Sequence, residues 1–180
     1  MKFKELKRKI RDYLLRKGYT LKYFEPRPSI KLVHEYFGNN RIRIKGLEIG
    51  VWYGDHAQEI KTYLNCDLYL IDPYEEYDEG KGAGHGFQKE LGIAKEVAHK
   101  RLKDVIWTDR NLTETLDFVY IDGNHSYEAV KTDIEFAEKL VKHGVIGGHD
   151  YSWDYPGVVD AVNEKFNNFQ FKGNDWWVIL

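Results

Sequence analysis

Short apolar runs alternate with stretches of helical periodicity from residue 42 to the C-terminus. Five runs predict strands, at residues 42–49, 68–71, 105–107, 116–121 and 145–146. Apolar residues at helical spacing predict helices over 55–64, 129–141 and 158–166. This alternation is typical of an α/β fold in which a parallel sheet carries helices on both faces. Two more apolar runs, 169–171 and 176–179, predict a closing antiparallel hairpin and bring the doubly wound, mostly parallel sheet to seven strands.

The first 40 residues follow a different pattern. Phe3, Leu6, Ile10 and Leu14 recur at helical spacing between Lys and Arg residues, which predicts an amphipathic helix. A rigid connector, Glu25-Pro26-Arg27-Pro28, follows, and Ser29 is the predicted cap of a short second helix that ends near residue 37. The length favours one domain over 1–180, with residues 1–40 as a basic helical cap and 41–180 as the core.

Charge is unevenly distributed, although the net charge is only −2. Residues 1–45 contain 14 Lys and Arg against 4 Asp and Glu, whereas the remainder contains 13 against 25. A basic arm can bind nucleic acid, but the apolar stripe within this one favours a cap that packs on an acidic surface. Residues 74–86, acidic and then rich in glycine, predict either an ordinary mobile loop or a lid over a ligand.

The expected compartment is the cytoplasm. Cys66 is the single cysteine, so no intrachain disulfide can form and nothing indicates an oxidising compartment. The basic N-terminus lacks the apolar centre of a signal peptide, and no apolar run approaches the length of a membrane span, so no membrane partner is expected. The oligomeric state stays open, and a homo-oligomer is allowed.

The glycine turn after the first strand is the principal candidate for a ligand site. Residues 46–54 read Gly-Leu-Glu-Ile-Gly-Val-Trp-Tyr-Gly, and Gly50 and Gly54 would let a ligand approach the backbone. Trp52 stands where a dinucleotide-binding motif has its second glycine. Glu48 would repel a pyrophosphate and attract an ammonium group. These residues favour S-adenosylmethionine, which carries an ammonium and a sulfonium and no phosphate, over NAD.

Carboxylates and histidines follow the other predicted strands. Asp72 ends the second strand, where a carboxylate can accept hydrogen bonds from both ribose hydroxyls of an adenosine, or can simply cap the next segment. Asp122 and His125 follow the fourth strand, and His149 and Asp150 follow the fifth. Adjacent strand ends would bring Asp122, His149 and Asp150 within reach of one Mg²⁺, Mn²⁺ or Zn²⁺ ion, or into a hydrogen-bonded cluster without an ion.

Four ordered motifs within residues 43–166 resemble those of the class I methyltransferases, which have a Rossmann-like fold. The similar group includes sugar and antibiotic O-methyltransferases and, more distantly, catechol O-methyltransferase. The motifs are residues 47–54, 69–74, 118–127, and 148–151 with 156–158. The resemblance implies that Glu48, Gly50 and Gly54 hold the methionine part of the cofactor, that Asp72 holds the ribose, and that Trp107 to Asp109 lie near the adenine. Trp52 and Asp122 are further predicted cofactor-binding residues.

The same resemblance places metal ligands at Asp122 and Asp150. Catechol-type enzymes have Asp-Asn after the fifth strand, where this chain has His149-Asp150, and a catalytic Lys where this chain has His125. The sequence therefore leaves the metal and the identity of the general base open. We expect Asp122, His125 and His149 to be catalytic, either through a metal that lowers the pKa of a hydroxyl or through a histidine base.

The predicted function is S-adenosylmethionine-dependent O-methylation of a small hydroxylated substrate such as a sugar. A nucleic-acid methyltransferase or binder that uses the basic N-terminus is an alternative. It is disfavoured because residues 122–125 read Asp-Gly-Asn-His, whereas amino-methylating DNA enzymes show an Asn/Asp-Pro-Pro-Tyr stretch there. A non-catalytic module that only binds the cofactor is the remaining alternative.

Overall fold

A computed structural model of the protein describes residues 26–38, 42–76 and 88–180. The strands are β1 (Ile44–Ile49), β2 (Cys66–Ile71), β3 (Ile106–Trp107), β4 (Leu116–Ile121), β5 (Val141–Gly148), β6 (Gln170–Lys172) and β7 (Asp175–Ile179). The helices among these residues are α1 (Pro28–Tyr36), α2 (Asp55–Tyr63), α3 (Gln88–Arg101), α4 (Tyr127–Leu140) and α5 (Pro156–Lys165).

The seven strands form one sheet in the order β3-β2-β1-β4-β5-β7-β6. Strands β1 to β5 pair in parallel, and β7 pairs antiparallel with both β5 and β6. This confirms the predicted doubly wound α/β fold with a C-terminal antiparallel hairpin. The chain order reverses between β1 and β4, which is the place where open α/β sheets bind their ligands.

Apolar side chains cover both faces of the sheet. On one face Ile30, Ala57 and Ala98, from α1, α2 and α3, pack with strand residues such as Phe118. On the other face, residues of α4 and α5 pack with Leu47 and the remaining inward strand positions. Because successive strand residues point to opposite faces, Glu48 and Tyr120 lie on the face that α1 to α3 cover. A glutamate is thus enclosed by apolar layers.

The start of α1 differs from the prediction. Ser29 is not the cap: Arg27 holds that position, and Pro28 is the first helical residue. Proline suits this place because its fixed φ is helical and its missing N–H would have had no helical partner. The Ser29 hydroxyl instead donates a hydrogen bond of 2.5 Å to Asp175 Oδ2, so it ties α1 to the hairpin.

Two elements were poorly predicted by periodicity. No prediction covers α3, whose Lys- and Glu-rich sequence contains Gly92 and shows little amphipathic contrast, although the helix contributes Leu91, Ala94 and Ala98 to the core. Strand β5 begins at Val141, directly after α4, and not near residue 145. The pairing of β4 with β5 is irregular between Leu116 and Phe118, and this irregularity accommodates the early start.

Some predictions lie outside the described residues. These are the N-terminal amphipathic helix, with the basic arm on which the nucleic-acid alternative rests, and most of the predicted lid at 74–86. Among the helices that the structure describes, none combines the length and apolar composition needed to cross a bilayer.

Gly144 of β5 provides a test of how closely β5 packs against β4. A Cβ atom there would lie 2.0 Å from the carbonyl oxygen of Asp117, a backbone atom that cannot rotate away. We expect Gly144→Ala to lower the free energy of unfolding by about 2 kcal/mol or more. The matched control is Gly92→Ala on the exposed side of α3, where no atom lies within 4 Å and alanine should be neutral or stabilising. Urea unfolding of both variants measures the difference, and equal stabilities would contradict the close approach.

Candidate functional site

Four strands end at the same level of the sheet. Ile49 of β1 pairs with Ile71 of β2 and with Ile121 of β4, and Ile121 pairs with Gly148 of β5. The next residue of each strand is, in the same order, Gly50, Asp72, Asp122 and His149. The register therefore brings these four predicted site residues, from distant parts of the sequence, into one row.

The glycine turn packs closely against the end of β4. Gly50 has φ +87°, and a Cβ on it would lie 2.2 Å from the carbonyl oxygen of Asp122. Gly54 has φ +80°, and its Cβ would lie 2.7 Å from Leu102 Cδ1. The sequence predicted glycines that make room for a ligand. The structure shows that neighbouring parts of the protein also require them.

Asp72 joins the ends of β1 and β2. Its Oδ2 accepts hydrogen bonds of 2.8 and 2.9 Å from the N–H groups of Val51 and Trp52, and its Oδ1 accepts one of 2.8 Å from Tyr74 N–H. The Tyr74 hydroxyl donates to the Trp52 carbonyl oxygen at 3.0 Å. Asp72 thus holds the glycine turn in place, and its predicted contact with a ribose stays a prediction.

Glu48 lies beneath the turn, and none of its surface is exposed. Its Oε1 is 2.9 Å from His56 Nδ1, while Oε2 and His56 Nε2 have no hydrogen-bond partner among the described residues. Burial, together with the charge of Asp122, raises the pKa of Glu48 well above its ordinary value. Burial and the charge of Arg27 lower the pKa of His56. Glu48 and His56 are thus a buried pair below the predicted methionine site, and burial disfavours the charged form of each.

Asp122 pairs with an arginine from the other end of the chain. Arg27 Nη1 lies 2.9 Å from Asp122 Oδ2 and donates a further hydrogen bond of 2.6 Å to the Tyr120 hydroxyl. Burial alone would raise the pKa of Asp122, but the adjacent guanidinium outweighs it and holds that pKa well below the ordinary range. Asp122 is therefore an anion at neutral pH.

Asp150 contacts two histidines at the rim of the sheet, which is the edge formed by the residues that follow β1, β2, β4 and β5. Its Oδ2 is 3.0 Å from His125 Nε2, and its Oδ1 is 3.0 Å from His149 Nδ1. Burial opposes a charge on His149, but the hydrogen bond to Asp150 outweighs it and raises the pKa of His149. His149 is the more exposed of the two rings, at 26% against 12% for His125. His149 is therefore better placed to meet a substrate.

The donor set at this rim fits a divalent cation. Asp122, His149 and Asp150 each offer one ligand atom, and these atoms lie within 4.8 Å of one another. One imidazole nitrogen and two carboxylate oxygens suit Mn²⁺, Mg²⁺ or Zn²⁺. The role of the three residues as metal ligands stays a prediction. Arg27 is an additional cation that already contacts one of them, Asp122.

The predicted adenine-side residues lie at the outer end of the sheet. Trp107, on β3, stacks on His99 with ring centroids 3.9 Å apart. The centroid of the Tyr74 ring lies 6.3 Å from that of Trp107. Asp109 accepts a hydrogen bond of 2.8 Å from Asn111 N–H and is exposed. Tyr74 therefore links Trp107 to the turn at Trp52, whereas Asp109 has its described contacts within its own loop.

Sequence reasoning missed four residues of the site: Arg27, His56, Tyr120 and Asp175. The Tyr120 hydroxyl donates to Asp175 Oδ1 at 3.0 Å, and Arg27 joins this pair to Asp122. Tyr120, a residue with a hydroxyl group in a buried strand, was the one signal that a polar partner was needed there. Arg27 left no such signal, because 95 residues separate it from Asp122.

The geometry defines an α/β protein with a cluster of acidic and histidine side chains at the strand ends. The methyltransferase domain family model matches residues 47–151, more than half of the chain. The chain therefore belongs to the methyltransferase domain family, and it is a class I S-adenosylmethionine-dependent methyltransferase. The predicted cofactor and enzyme class are confirmed.

Solved structures show the same fold. The calicheamicin methyltransferase CalS11 matches with a TM-score of 0.65 at 12% identity, over 99% of this chain and 93% of that one. An O-methyltransferase from Bacillus cereus, solved with S-adenosylhomocysteine, matches with a TM-score of 0.55 at 16% identity, over 100% and 92% of the two chains. No curated protein sequence matches this chain significantly.

Glu48→Gln tests whether the buried carboxyl serves binding at the expense of stability. A glutamate titrates near pH 4.3 when unfolded, about as in model peptides, but higher when buried here. Folding therefore loses free energy as the pH rises from that value toward the raised one, and glutamine avoids this loss. We expect the variant to melt about 2 °C or more above the wild type at pH 8, with a smaller difference at pH 5, and to bind S-adenosylhomocysteine more weakly.

Thermal unfolding with and without S-adenosylhomocysteine at both pH values measures these effects. The control is Glu96→Gln, at an exposed position of α3, which should change neither the stability nor the ligand response. A variant that keeps full ligand stabilisation would remove Glu48 from the cofactor site.

Proposed function

We propose that this methyltransferase transfers the methyl group of S-adenosylmethionine to a hydroxyl of a small molecule. The cluster of Asp122, His149 and Asp150 at the ends of β4 and β5 is the observation that carries this proposal. It combines a carboxylate anion with a histidine that is exposed enough to meet an acceptor. An alcohol is a poor nucleophile while protonated, so O-methylation needs such a group beside the reacting oxygen.

The cofactor would lie along the ends of β1 and β2. Asp122 supplies negative charge beside the glycine turn. Glu48, whose pKa burial raises, would ionise when the positively charged ammonium and sulfonium groups bind above it. Asp72 would turn toward the ribose hydroxyls, and Trp107 would lie on the adenine side. Gly50, Trp52 and Gly54 form the turn over the methionine part. Binding there would leave the sulfonium methyl facing the β4–β5 half of the rim.

In the reaction, the acceptor oxygen attacks the methyl carbon as the carbon–sulfur bond breaks. The hydroxyl proton passes to a ring nitrogen of His149, and the products are the methyl ether and S-adenosylhomocysteine. Asp150 orients the His149 ring through Nδ1 and stabilises the positive charge that the ring acquires. His125, on the other oxygen of Asp150, fixes that carboxylate in turn. Alignment of the oxygen behind the methyl group supplies most of the remaining acceleration.

As the alternative to proton transfer to His149, the cluster of Asp122, His149 and Asp150 would hold a Mg²⁺ or Mn²⁺ ion, which would favour the oxyanion of the acceptor. Substrate recognition would use aromatic side chains beside this cluster. Trp153 is 93% exposed in the loop after β5, and Tyr151 packs on Phe171 with centroids 5.1 Å apart. Exposed aromatic rings stack well on sugar or phenol rings. A sugar or another small hydroxylated ring is the acceptor that these groups favour, with the cytoplasm as the expected compartment.

Acceptor-dependent release of S-adenosylhomocysteine tests the proposal. The wild type, S-adenosylmethionine and a panel of sugars, catechols, primary amines, DNA and RNA are compared with and without Mg²⁺. Hydroxylated small molecules should be methylated. Preferential methylation of an amine or a nucleic acid would overturn the proposal. Cofactor binding without turnover on any acceptor would instead support the non-catalytic alternative.

His149→Asn isolates the proton-accepting group. Asparagine keeps a donor to Asp150 near the position of Nδ1 but cannot accept a proton at neutral pH, so kcat should fall about 100-fold or more. The dissociation constant of S-adenosylhomocysteine should stay unchanged, because the ring lies on the acceptor half of the rim. His143→Asn, at an exposed position of β5, is the control. An unchanged kcat in His149→Asn would exclude His149 as the base.

A further inference from the structure

Arg27, in the segment ahead of α1, contacts the cluster of Asp122, His149 and Asp150, where the methyl acceptor is proposed to bind. Its Nη1 lies 2.9 Å from Asp122 Oδ2, and Asp122 Oδ1 lies 3.9 Å from His149 Nδ1. The two oxygens of one carboxylate are therefore divided between the guanidinium and the histidine cluster. A cation bound at Oδ1 would lie close to the fixed positive charge of Arg27.

Several contacts hold the guanidinium in this place. The Arg27 backbone N–H donates to Glu59 Oε1 at 2.5 Å, and Nη1 donates to the Tyr120 hydroxyl at 2.6 Å. The guanidinium carbon also lies 5.5 Å from the centre of the Tyr120 ring. Ser29, two residues later, is bonded to the buried Asp175. The side chain is only 29% exposed, so Arg27 is part of the site and not a surface charge that moves away at little cost.

The charge balance at the rim depends on this residue. The cluster has two carboxylates, Asp122 and Asp150, and two oxygens of Asp150 already face histidines. Arg27 offsets the charge of Asp122, which would otherwise be the main attraction for a divalent ion. Like charges a few ångströms apart at a partly buried site repel strongly, because little water screens them.

We propose that Arg27 is a positioning residue that fixes Asp122 and weakens the affinity of the Asp122, His149 and Asp150 cluster for divalent cations. Arg27 thereby keeps Asp122 directed toward the substrate that accepts the methyl group, so that the carboxylate can accept a hydrogen bond from it. The inference rests on the proposed function in one respect, that this cluster is where the acceptor binds. The competition between Arg27 and a cation concerns the protein alone and can be measured without cofactor or acceptor.

Mn²⁺ binding to the full chain tests the competition. Free Mn²⁺ is titrated by its electron paramagnetic resonance signal against wild type, Arg27→Met, Arg27→Lys and the double variant Arg27→Met with Asp122→Asn. Methionine keeps much of the side-chain length without the charge. We expect Arg27→Met to bind Mn²⁺ about tenfold or more tightly than the wild type, Arg27→Lys to remain near the wild type, and the double variant to lose the gain.

Equal Mn²⁺ affinity of wild type and Arg27→Met, or tighter binding by the wild type, would overturn the inference. If Arg27→Met does not fold, Arg27→Gln replaces it, because glutamine keeps a polar side chain at this position without a charge. A loss of Arg27 that only loosened the structure would weaken Mn²⁺ binding, so a gain separates competition from general damage. Methyl transfer by the wild type is scored separately, and its absence would remove the proposed function while leaving the Mn²⁺ result intact.

Discussion

The site is organised by the need to offset carboxylate charge at one end of the sheet. Asp122, Asp150, Asp175 and Glu48 all lie there with little or no exposure, and ionised groups withdrawn from water are stable only with partners. Each of these four carboxyl groups has a different kind of partner. Arginine pairs with Asp122, two histidines with Asp150, hydroxyl groups with Asp175, and a neutral, buried histidine with Glu48. The partner decides whether each group is an anion that can act on a ligand.

This division separates two halves of the rim. On the β1–β2 side, Glu48 is buried with a raised pKa, and Asp72 accepts hydrogen bonds from backbone N–H groups. On the β4–β5 side, Arg27 holds Asp122 as an anion, and hydrogen bonds with His125 and His149 outweigh burial and lower the pKa of Asp150. The halves meet where Gly50 packs on the Asp122 backbone. Under the proposed function, the methyl group would be carried on the first half, and the proton acceptor would lie on the second.

The strand-end motifs were predictable because each is local. A strand that ends in a glycine turn or a carboxylate is readable from a few consecutive residues, and parallel strands necessarily bring such ends together. The prediction was weaker where local pattern and packing disagree. Ser29 matched a cap but serves Asp175, and α3 has too little apolar contrast to be recognised. Strand β5 starts early because its pairing with β4 is irregular, which no run of side chains reveals.

The sequence by itself determined the fold class, the order of the strands that carry chemistry, and Asp122, His149 and Asp150 as one cluster, since periodicity and strand polarity depend on neighbouring residues. Only the tertiary structure decided what those groups are bonded to. Arg27 reaches Asp122 across 95 residues of chain, and Glu48 is enclosed with His56 beneath the turn. Burial and ion pairing act between residues that are close in space but far apart in the sequence. The charge state of the site is therefore decided only when the helices have packed on the sheet.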